Sequence, residues 1–73
     1  MTKKQAVFWL NHFYSQRDWF DSHGGNIVAY VERYGSKDDA NHYGEGGEAI
    51  YAADKAALDH ALVKAHHAQR LLR

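Results

Sequence analysis

Seventy-three residues make one domain, and a chain this short buries only about 60% of its unfolded-state surface. It has no cysteine, so neither disulfides nor a thiolate metal cage can staple it, and stability has to come from packing or from a second copy of the chain. Nine basic and nine acidic residues cancel, which argues against the basic footprint of a duplex-binding domain.

The first predicted element is a helix over 3–21. Thr2 followed by Gln5 fits a capping box, and His23, Gly24 and Gly25 supply the stop. The helix carries "VFWLNHFYSQRDWF", with six aromatic residues in fourteen positions. At 100° per residue, Ala6, Val7, Leu10, Phe13, Tyr14 and Phe20 share one broad face, with Trp9 at its border and the Arg17 stem inside it. Phe8 and Trp19 do not belong to that face. They form a second stripe with His12 and Ser15, aromatic and polar without aliphatics. Aromatic residues are enriched at interface anchors, so Phe8, His12, Ser15 and Trp19 are the candidate partner-binding residues.

"NIVAYVERY", 26–34, is rich in β-branched and tyrosine residues and reads as a strand, although Ile27, Val31 and Tyr34 also fit a helix face. Ser36, Asp39 and the closing Gly44 suggest a one- or two-turn helix, and "GEGG", 44–47, a flexible turn. "EAIYAA", 48–53, reads as a second strand. A helix over 54–72 follows, with Asp54 as its N-cap and Arg70 and Arg73 suiting its C-terminal dipole. Its apolar face is Ala57, Leu58, Ala61, Leu62, Ala65, Ala68 and Leu72. His60, Lys64 and His67 line one flank as a secondary basic site, and Asp59, His66 and Arg70 the other.

The expected fold is therefore α+β: two long helices on a short antiparallel sheet, in the order α-β-(short α)-β-α, with an all-α bundle as the alternative. The expected core is Leu10, Phe13, Tyr14, Phe20, Val31, Ile50, Leu58, Ala61 and Leu62. A two-stranded sheet with an open edge invites pairing with another chain, so a homodimer is expected to be an option.

Charge is unevenly spread despite the balance. In 1–21, Lys3, Lys4 and Arg17 against Asp18 and Asp21 leave +1; in 22–54, two bases against six acids leave −4; in 55–73, four bases against Asp59 leave +3. The acidic middle can attract the basic last helix within one molecule or between two.

Catalytic and metal chemistry find little support. Ser15, Ser22 and Ser36 lack a base and orienter, and adjacency of Asp21, Ser22 and His23 is not triad geometry. Among the six histidines, Asp38 and His42 have ligand spacing, but Lys64 intervenes between His60 and His67 and no metal signature occurs. Neither "HGGN" nor "GEGG" is a nucleotide-binding loop. No cofactor is expected. No apolar run is long enough for a signal segment or a membrane span, so a cytoplasmic location without membrane contact is the expectation.

These features point to a non-catalytic module that binds a protein, itself or another. Accessory proteins of phages and mobile elements that inhibit or modulate a host protein by direct contact have this general make-up. The second expectation is a small nucleic-acid-binding accessory domain, with Phe8 and Trp19 stacking bases and the last helix contacting phosphates.

Overall fold

The computed structural model describes residues 1–41 and 43–73, and among them there are three helices and no strand: α1 (Lys3–Ser22), α2 (Ile27–Tyr34) and α3 (Gly47–Leu71). Trp9 meets His60 while Phe20 meets Tyr51, so α1 and α3 run antiparallel as a long hairpin. The short α2 packs on the first turns of α3 and closes one end of that hairpin. The opposite end, where α1 begins and α3 finishes, is open.

α1 forms as its sequence dictates. The Thr2 side chain accepts from the Gln5 backbone N–H and the Gln5 side chain accepts from Thr2 N–H, at 3.1 and 2.8 Å.

The α+β expectation is overturned in the middle of the chain. Residues 26–34 are helical because Asn26 is an N-cap, its Oδ1 accepting from Ala29 N–H at 2.9 Å. Ile27, Tyr30, Val31 and Tyr34 then lie on one helical face. The other expected strand, 48–53, is the start of α3. Residues 47, 51, 54, 58, 61, 65 and 68 keep the 3–4 spacing without interruption, and no breaker lies between them. Asp54 is thus not an N-cap but sits two turns inside the helix, which begins after Gly46 with no side-chain cap.

The short helix expected after Ser36 is a single turn. Ser36 N–H donates to Asp39 Oδ2 at 3.2 Å, and Asp39 N–H to the Ser36 carbonyl at 3.0 Å, but no helix propagates. Glu48 ties this loop to α3, its carboxylate accepting from Ser36 Oγ at 2.8 Å and Lys37 N–H at 3.0 Å. Together with its own backbone N–H, the largest influence, these donors hold its carboxyl below the usual range.

The core is divided. Along the α1–α3 seam the buried residues are small: Ala6 from α1, and Ala61, Ala65 and Ala68 from α3. At the closed end Phe20, Tyr30 and His23 are buried, and Tyr34 and Tyr51 join them in a run of ring contacts. Of the expected core, Phe20 and Ala61 are buried and Leu10, Phe13, Val31, Ile50 and Leu58 are half-buried. Tyr14 and Leu62 are exposed, as is Val7, because no third helix covers the seam. The molecule is 50 Å long with a radius of gyration of 15.1 Å, where a compact chain of this length has about 11 Å.

Candidate interaction surface

α1 presents two flanks beside its buried stripe. On one, Phe8 and His12 stack one turn apart, with centroids 5.5 Å apart and planes 12° from parallel. Trp9 meets both edge-on at 5.4 and 5.5 Å. It then crosses the seam to His60 at 5.5 Å, and Lys64 Nζ lies 5.9 Å from its ring centroid. Two sets of residues predicted separately, Phe8 and His12 on α1 and His60 and Lys64 on α3, are therefore one surface. Trp9 is the joint, and its position at the border of the core face is its only sequence signal.

Other expected site residues stand apart. Ser15 is exposed and outside this ring cluster. His67 lies one turn beyond Lys64 and lines an open depression with Val63, His66 and Arg70 on the outside of α3. Trp19 is near the closed end, where its indole N–H donates to Asp54 Oδ2 at 3.0 Å and its ring packs on His23 at 4.4 Å. Phe8 and Trp19 are nevertheless 56% and 53% exposed, so neither has been drawn into the core.

The closed end holds a polar network that the sequence does not announce. Asp54 Oδ2 accepts from both Trp19 Nε1 and the hydroxyl of the fully buried Tyr30, the latter at 2.6 Å. Burial, reinforced by the Asp54 carboxylate, pushes the Tyr30 phenol well above its ordinary range. His23 is held between the Trp19 carbonyl, 2.8 Å from Nδ1, and the Tyr34 hydroxyl, 2.9 Å from Nε2. The carbonyl can only accept, so Nδ1 donates to it, while the Tyr34 hydroxyl can donate to or accept from Nε2. An acid in phase with Tyr51, Leu58 and Ala61 is the available sign that Asp54 is a half-buried acceptor rather than a cap.

Among the described residues no three acidic or histidine side chains are placed to hold a metal ion, and no helix is long and apolar enough to cross a membrane. Of the expected Asp38–His42 pair, His42 lies outside the described residues. Comparisons with known protein families, with characterised proteins and with solved structures give no match.

Proposed function

We propose that this chain is a non-catalytic protein-binding module that docks a partner protein on the Phe8–Trp9–His12–His60 face. The observation that supports it is the ring cluster spanning both helices, with Phe8 and His60 exposed, Trp9 and His12 half-buried and Lys64 at its edge. Rings anchored on two helices are an ordered apolar platform, and little side-chain freedom is lost when it is covered. The partner surface is an apolar patch with carboxylates at its rim, since Lys64 borders the rings and the neighbouring acid, Asp59, is paired with Lys55 at 2.8 Å. Occupying such a patch would modulate the partner by occlusion, without chemistry.

The test is affinity capture from the source cell's lysate with wild-type and Phe8→Ala/Lys64→Glu baits. A protein retained by the wild type and lost by the variant supports the reading; equal retention by both refutes it. Single-stranded nucleic acid is the second reading, favoured by five bases and no acid in 1–14 and 60–73 beside the exposed Phe8 ring. It requires binding of single strands that weakens steeply with salt, and zero net charge ranks it lower.

A further inference from the structure

The other flank of α1 carries a second pattern. Lys3, Val7, Leu10, Tyr14, Arg17 and Asp21 alternate in steps of four and three, the spacing of a coiled-coil seam. Val7 is 50% and Tyr14 44% exposed, and Leu10, Tyr14 and Arg17 border a groove of about 200 Å³ shared with Leu62, Ala65 and His66 of α3. The stripe is apolar in the middle, cationic at one end and acidic at the other.

From this pattern we infer that the flank pairs with the same flank of a second copy of the chain, antiparallel, about a twofold axis near residue 12. In that register Leu10 lies opposite Tyr14, Val7 opposite the Arg17 stem, and Lys3 of each chain opposite Asp21 of the other. The paired stretch is about 27 Å long. A parallel pair would set Lys3 against Lys3 and Asp21 against Asp21, so charge selects the orientation.

An independent feature of α1 agrees. Its first turn has lysines and no acid, and its last turn has no base, so its end charges run against its own macrodipole. A mate laid antiparallel places Asp21 beside the lysine end and Lys3 beside the acidic end, compensating both. This flank is separate from the Phe8–His60 face, so either proposal can fail while the other stands.

Sedimentation equilibrium with charge exchange tests the pairing. The wild type is expected at twice 8.3 kDa at micromolar concentration. Lys3→Asp and Asp21→Lys should each weaken self-association on the order of tenfold, since each turns two attractive pairs repulsive. The doubly exchanged chain should recover the wild-type constant. An equimolar mixture of the two single variants should also associate, because at both ends of every mixed pair a carboxylate then faces an ammonium group. Helix content by circular dichroism checks the fold, and both single changes suit the helix dipole, so lost association cannot be put down to a weaker helix. A wild type that stays monomeric to millimolar concentration would overturn the inference. So would single exchanges without effect, or a double exchange that fails to recover.

Discussion

Asp54 is the residue on which three helices converge, because one carboxylate oxygen accepts from Trp19 of α1 and Tyr30 of α2 while its backbone belongs to α3. Removing it orphans a hydroxyl that water cannot reach. Asp54→Ala should cost about 1–3 kcal/mol, mostly from the buried Tyr30 donor, since the half-exposed indole can rehydrate. Asp54→Asn keeps an acceptor and should cost less, and urea melts of the two variants separate these cases. The same contact predicts an alkaline limb. Tyr30 binds its proton more tightly folded than unfolded, so its contribution is fully present below the unfolded phenol value of 10.0 and is lost progressively above it. Tyr30→Phe should make the stability decline above pH 10 shallower than in the wild type. Glu48 has the opposite sign: its lowered carboxyl adds stability above the ordinary 4.5 that disappears on acidification. Acid titration of Glu48→Gln, monitored by unfolding, should show a weaker loss below that value.

The meeting of α2 and α3 depends on a missing side chain. A Cβ on Gly47 would collide with the Tyr30 carbonyl and come within 2.7 Å of Val31 Cα, both backbone atoms that cannot turn aside. Gly47→Ala should therefore destabilise by about 1–3 kcal/mol as α2 is pushed outward, although alanine is the better helix former. Gly44→Ala meets nothing and should show only the cost of its left-handed backbone, about 1 kcal/mol; thermal melts of both variants make the comparison. This dependence also shows why the elements are unequally legible in the sequence. α1 is readable to within a residue because Thr2, Gln5 and the two glycines are local signals whose physics is complete within the helix. α2 reads wrongly as a strand because Val28, Val31 and two tyrosines suit either state, and the Asn26 cap that decides the matter is a single polar residue beside a glycine pair. The start of α3 reads wrongly because Asp54 resembles a cap, whereas its role is set by Tyr30 and Trp19, far away in sequence. In the candidate site the composition of each flank is legible, but the union of Phe8 and His12 with His60 and Lys64 is not. It depends on which way α1 and α3 run.

At the scale of the molecule, the hairpin turns a neutral chain into an electrical dipole. The open end holds Lys3, Lys4, Lys64, Arg70 and Arg73 with four of the six histidines, and every acid lies in 15–59. It also leaves the chain under-buried. The accessible surface is 5178 Å², where a compact monomer of 8.3 kDa has about 4,600 Å². Four of the six buried hydrophobic residues are alanines, so the seam alone contributes little hydrophobic free energy. If a second copy covers it, folding and association are one equilibrium and stability depends on concentration. A tenfold increase in protein lowers the free energy of the paired state by about 1.4 kcal/mol per dimer relative to two unfolded chains. For a pair of chains this size that raises the thermal midpoint by roughly 3–6 °C. Calorimetry across two decades of concentration should show that rise twice over in the wild type. Lys3→Asp should melt lower than the wild type at each concentration where the wild type is paired, and the doubly exchanged chain should regain the wild-type curve. A midpoint that stays fixed across the range would mean that the hairpin folds alone, with its small seam and aromatic closed end sufficient to hold it.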